Sequence, residues 1–121
     1  MSGPTWKHLR VRDVDGVAVV DFVDAGLMFE SSLVRELGEE LERLAAEHPT
    51  HRLILDFREV QYISSTMLGQ LVRLQKQIAQ LQGQLRLTGL GPVLRDTFRI
   101  GRFEPLFEIH ESVDEALRAM H

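Results

Sequence analysis

One run of residues limits the fold more than any other: Arg52-Leu53-Ile54-Leu55-Asp56-Phe57. It is short and almost continuously apolar, so it suits a strand at the centre of a sheet, covered on both faces. Such a strand needs covering helices, and the flanking sequence supplies them. Before it, Leu33, Val34, Leu37, Leu41, Leu44 and Ala45 recur at spacings of three and four, which predicts a helix starting at Ser31 or Ser32. His48-Pro49 ends that helix, because the residue before a proline is pushed out of helical geometry. Its many glutamates read as a solvated face. After the strand, Met67, Leu71, Leu74, Ile78 and Leu81 step by four and three, predicting a second helix near Ser65–Leu81 with Gly83 as its C-terminal cap.

The chain opens differently from a doubly wound enzyme. Leu9 and Val11, with Lys7 before them, begin a short extended segment. Asp15-Gly16 is a tight-turn signal, and Val17-Ala18-Val19-Val20-Asp21-Phe22 is rich in β-branched residues, so a β-hairpin is expected. Asp24-Ala25-Gly26 breaks the pattern before the first helix. Beyond the second helix, Leu85-Arg86-Leu87-Thr88 alternates as a strand with one exposed face. Pro92 suits the first position of a short helix with Val93, Leu94, Phe98 and Ile100 on its buried side, stopped by Gly101. Leu106-Phe107-Glu108-Ile109 reads as a last strand. Ser112-Val113-Asp114-Glu115 matches a capping box opening a terminal helix striped by Val113, Ala116, Leu117 and Met120. The order β-β-α-β-α-β-α-β-α implies an α/β fold: a mixed β-sheet opening with a β-hairpin, with about four helices mainly on one face.

Composition narrows the function. The 121 residues fit one domain, 1–121, with a core of its own. The absence of cysteine excludes disulfides, thiolate metal sites and thiol nucleophiles. No apolar run reaches the ~18 residues of a membrane span, and Met1-Ser2-Gly3-Pro4-Thr5-Trp6 lacks a signal-peptide core, so a cytoplasmic location is expected. A net charge of −4 argues against nucleic acid as a partner.

Catalytic signals are sparse. His48 and His51 flank Pro49 and read as solvated loop residues rather than metal ligands. Gly89-Leu90-Gly91-Pro92 is closer to a turn than to a phosphate loop, because its proline lacks an amide donor. Asp56 stands where a phosphoacceptor aspartate would, but without an acidic metal pair or a later lysine; it reads as an acceptor for the following loop. The most informative stretch is Ser64-Ser65-Thr66 at the start of the second helix. Such hydroxyls either cap the helix, or offer a phosphorylation site beside unpaired amides and a positive dipole end.

The whole element order resembles that of the STAS family of sulphate-transporter and anti-sigma-factor-antagonist domains. The likeness is sharpest at Leu53–Phe57, Val60 and Tyr62-Ile63-Ser64-Ser65-Thr66-Met67-Leu68-Gly69-Gln70-Leu71, and extends from about Lys7 to Met120. The family pattern at the helix start is Asp-Ser-Ser-Gly-Leu-Gly, whose second serine accepts phosphate. Ser64 stands at the aspartate, Ser65 at the first serine, Thr66 at the phosphoacceptor and Met67 at the first glycine; Leu68 and Gly69 match. The resemblance implies a STAS fold, no cofactor and no metal. It also implies capture of an anti-sigma factor that is itself a serine/threonine kinase, in a partner-switching pathway. Thr66 would be the switch, with Ser65 as the second phosphorylation candidate. Tyr62, Ile63, Ser64, Ser65, Thr66 and Met67 would form the docking surface.

The alternatives within the family are a non-switching scaffold in a larger signalling assembly, where other STAS proteins are partners, and a regulatory subunit of a membrane transport complex. A small hydrolase or nucleotide-binding domain is the enzyme-class rival, disfavoured because no paired acid and base is in evidence. Purified protein is therefore expected to hydrolyse ATP and GTP at background rate. A turnover that survives further purification and disappears in an Asp56 or Thr66 variant would overturn this.

Overall fold

A computed structural model describes residues 6–23 and 31–120. Strands β1 (Leu9–Val14) and β2 (Val17–Phe22) form the opening hairpin. They are followed by α1 (Ser31–Glu47), β3 (Arg52–Asp56), α2 (Ser65–Gln80), β4 (Gln84–Thr88) and α3 (Pro92–Ile100). A short 3-10 turn (Glu104–Leu106), β5 (Glu108–His110) and α4 (Val113–Ala119) complete the chain. The sheet runs β1-β2-β3-β4-β5, with the first pair antiparallel and the others parallel. The hairpin turn places Asp15 and Gly16 at φ 53° and 82°, two left-handed residues that match the twist of the flanking strands. The break expected at Asp24-Ala25-Gly26 lies outside the described residues.

The central run is covered on both faces. Leu53 and Leu55 join Ala18, Val20, Phe22, Leu85 and Leu87 under α1, α2 and α3. Ile54, between them, points the other way and packs with Val17 and Val19 against Ala116 and Met120 at the C-terminal end of the chain. Three helices therefore lie on one face and α4 on the other, as the alternating side-chain directions of strands require.

Several residues depart from the sequence reading. The C-terminal cap of α2 is a Schellman motif: Gly83 N–H bonds to Ile78 O and Gln82 N–H to Ala79 O, so the left-handed residue is Gln82 (φ 60°), not Gly83. Gly83 is needed for a different reason, since a Cβ there would lie 1.9 Å from His51 O. In α3 only Leu94 and Phe98 are buried; Val93 and Ile100 are 48% and 76% exposed. Residues 94 and 98 share one helix face, whereas 93 and 100, seven apart, share another. Leu106 lies in the 3-10 turn, and the last strand starts at Glu108, because Pro105 sets a helical φ just before it.

The polar residues of the α1 side are less solvated than expected. Glu40 is turned inward, where its carboxylate accepts the N–H groups of Lys7 and His8, which precede β1. His48 is buried, with Nε2 2.8 Å from Asp13 Oδ1, tying the end of α1 to β1. His51 Nδ1 lies 2.7 Å from Ala45 O. These histidines are structural ties, and among the described residues no group of His, Asp and Glu is arranged to hold a metal. A hydrogen bond from His8 holds the exposed Glu36 carboxyl below its ordinary pKa. That contribution is present at neutral pH and is lost as pH falls through the lowered folded-state value.

The two left-handed and close-packed positions give opposite expectations. Gly83→Ala should destabilise the fold by about 1–3 kcal/mol or more, because backbone must move. Gln82→Gly should be neutral or stabilising by up to about 1 kcal/mol, since it relieves a left-handed side chain. Urea unfolding of the two variants checks both signs.

Candidate functional site

The carboxyl end of β3 leads to the three hydroxyls through a loop held at several points. Phe57 N–H donates to Thr88 O at 2.9 Å, extending the pairing of β3 with β4 beyond the regular strand. Asp56, 8% exposed, accepts the Arg58 N–H on Oδ1 at 3.0 Å, and its Oδ2 lies 3.5 Å from the Arg58 guanidinium. Asp56 thus shapes the loop that follows it. Gly89 (φ 72°) fits beside it, where a Cβ would approach Asp56 Oδ1 to 2.8 Å. Val60 and Ile63 then drop into the core.

Ser64 is the N-cap of α2: its backbone is extended and its Oγ accepts the Met67 N–H at 3.1 Å. That assigns the capping role to one hydroxyl and releases the other two. Ser65 and Thr66, the first and second helical residues, are exposed, and neither hydroxyl bonds to another described residue. At this helix end a negative group meets unpaired first-turn amides and the positive end of the dipole.

The six residues assigned to the docking surface divide into two sets. Tyr62 (52% exposed), Ser65 and Thr66 face outward, and Ser64 is half-buried. Met67 and Ile63 do not face outward: Met67 is fully buried and Ile63 is 8% exposed, both in the core beneath α2. The correction follows from helical spacing, since Met67 shares the face of Leu71, Leu74 and Ile78.

Gly69 was placed only through a motif match, and the structure gives it physical content. It is exposed in the interior of α2, three residues after Thr66, and a Cβ there would meet nothing within 4 Å. Packing therefore does not require glycine, which costs a helix about 1 kcal/mol relative to alanine. It leaves the α2 backbone open beside Thr66. Sequence reasoning also missed Val93, assigned to the core but exposed across a groove from Tyr62.

Comparison with known proteins identifies the family and the fold. A family model described as the STAS domain matches residues 9–116. BtrV of Bordetella bronchiseptica, named as an anti-sigma factor antagonist, is 37% identical over 84 residues, which are 67% of this chain and 72% of that protein. An anti-sigma-factor antagonist (STAS) domain protein from Planctomyces limnophilus has the same fold, with a TM-score of 0.80 at 22% identity, covering 93% of this chain and 97% of that one. An anti-sigma factor antagonist from Mycobacterium paratuberculosis gives 0.77 at 22% identity, covering 99% and 98%.

The division of roles among the hydroxyls predicts a split in stability. Ser64→Ala should cost about 1 kcal/mol through loss of the cap. Ser65→Ala and Thr66→Ala should stay within about 0.5 kcal/mol of the parent. Gly69→Ala should stabilise by up to about 1 kcal/mol. Chemical denaturation of the four variants measures the whole pattern.

Proposed function

We propose that this chain, which belongs to the STAS domain family, is an anti-sigma factor antagonist: a cytoplasmic regulatory binding protein that captures an anti-sigma factor of the serine/threonine kinase type. In this reading capture releases a sigma factor for transcription, and phosphorylation of Thr66 ends capture. The chain works by occupying a partner and not by turnover, and it needs no cofactor.

The observation that carries the reading is the assignment of hydroxyls at the start of α2. Ser64 alone holds the cap, so Thr66 stands exposed in the first turn with its hydroxyl uncommitted. A phosphate there adds about −1.5 to −2 charges without breaking a fold contact, and the helix end tolerates negative charge. Met67, which occupies a glycine position of the family pattern, is turned into the core and does not stand on the surface a kinase grips. The similarity to BtrV, named as an anti-sigma factor antagonist, supports the partner class.

Thr66→Glu should leave the fold as stable as the parent, since a carboxylate near a helix N-terminus is worth about +0.3 to 1 kcal/mol. The same substitution should weaken partner binding by roughly 2 kcal/mol or more, about thirtyfold, by placing an unpaired charge in the contact. Thr66→Ala should keep binding and abolish phosphorylation. The partner is obtained by pull-down, affinities are measured by calorimetry, and protein from its own cells is examined by mass spectrometry. Equal affinities for the two variants, with no phosphate on residues 64–66, would favour the non-switching scaffold.

A further inference from the structure

Beside the α2 helix start lies a groove of about 400 Å³, bounded by the β3–α2 loop on one side and the first turn of α3 on the other. Tyr62 and Val93 form its outer walls, and both are among the few large apolar side chains left about half exposed. The fold gives Val93 no task, because Leu94 and Phe98 already supply the core face of α3.

The charge offered within the groove is positive. Among the described residues lining it, Arg58 is the single charged one. Its side chain is 77% exposed and its guanidinium makes one 3.5 Å contact, to Asp56, leaving most of its five donors to other acceptors. The opposite wall adds to the same field. The N-cap of α3 is Gly91, which has no side chain to cap the helix, and Pro92 has no N–H. The first N–H of α3 with an intrahelical acceptor is that of Arg95, to Gly91 O, so the Val93 and Leu94 amides remain as donors at the positive end of the helix. Among the described residues, the lining holds no carboxylate.

Apolar walls under a positive rim select an acidic, apolar-anchored ligand. We propose that this groove receives a segment of the partner protein in which an Asp or Glu adjoins a large apolar residue. The apolar side chain lies against Tyr62 and Val93, and the carboxylate meets Arg58 and the free amides of α3. The proposal rests on the reading of this face as the docking surface, and it gives the switch a sign. A phosphate on Thr66, four residues beyond Tyr62, repels the same carboxylate that the groove attracts.

A random peptide display library, selected on the full chain and counter-selected on Arg58→Glu, supplies the probe. The enriched peptide is then synthesised, and its binding is followed by calorimetry and backbone amide NMR. The expected consensus has Asp or Glu next to Phe, Leu, Ile or Met, with shifts concentrated at residues 58–62 and 91–94. Arg58→Glu and Val93→Asp should weaken binding at least tenfold, Arg58→Gln by less, and higher salt should weaken it further. Both side chains changed, Arg58 and Val93, are exposed in the parent, and thermal unfolding confirms that each of the three variants is folded. A basic or purely apolar consensus, no enriched sequence, shifts centred elsewhere, or unchanged affinity in Arg58→Glu would overturn the proposal. So would equal shifts from inorganic phosphate alone, which would make this a small-anion site. Concentration-dependent dimerisation abolished by Arg58→Glu would also overturn it, in favour of a second copy as the occupant. If the Thr66 variants split partner affinity while the groove variants do not, the groove fails and the switch stands. An acidic peptide in the groove with no Thr66 effect on the partner is the reverse result.

Discussion

The structure depends on β3 burying alternate side chains in two different layers. Leu53 and Leu55 serve the three-helix side, and Ile54 serves the thin side closed by α4. Neither layer can shift without exposing the other, since a one-residue slip of a strand exchanges its faces. This fixes where the carboxyl end of β3 emerges. The Phe57–Thr88 hydrogen bond and the burial of Val60 and Ile63 then carry that fixed point through the loop to Ser64. The position of the α2 helix start is thus inherited from the core.

Against that rigid base, the surface beyond it gives up stability that the fold did not have to lose. An exposed helix-interior glycine with open space around it, an uncapped α3 start, and half-exposed Tyr62 and Val93 all lie on or beside one face. Each departs from a local rule of capping, propensity or burial. Departures of this kind concentrate where a surface is kept for something other than folding. The ends of α2 and α3 show the contrast: left-handed Gln82, and Arg102 (φ 61°) after α3, where Arg102 N–H bonds to Arg99 O and Phe103 N–H to Phe98 O, are compensated by hydrogen bonds, so they need no functional reading.

The sequence made the skeleton legible because its signals were periodic. The hairpin, the parallel strands and the amphipathic stripes of α1 and α2 all follow from spacing two or spacing three and four. What stayed hidden depended on contacts between distant segments. The close approach of His51 O that demands Gly83 is one, and the two amides before β1 that draw Glu40 inward are another. Of the site, spacing alone offered two readings of three hydroxyls. Only the Ser64–Met67 hydrogen bond distributes the roles. The outward and inward halves of the docking set could have been separated by the α2 stripe, because Met67 begins it. In α3, four apolar residues in a nine-residue helix outnumber one narrow face, and the chain does not say which pair will be left outside.

A phosphate can act as a switch only where it changes the sign of what a partner meets. On a strongly basic face, one group of about −2 charges would be a modest perturbation. Residues 61–121, which supply both α2 and α3, carry seven basic and six acidic side chains, a net charge of +1. Much of the positive charge of α3 is already paired, Arg95 with Glu111 and Arg99 with Asp96. Among the described residues lining the groove beside Tyr62, Arg58 and the α3 amides are therefore the positive groups, and on the proposed reading a phosphate on Thr66 opposes them. On the proposed reading, near-neutrality of the second half of the chain is what lets one phosphate matter. The acidic excess falls instead in residues 1–60, which carry −5 in total, much of it on and around α1. On the proposed reading, a single covalent group weighs most where the surrounding charge is already close to balance.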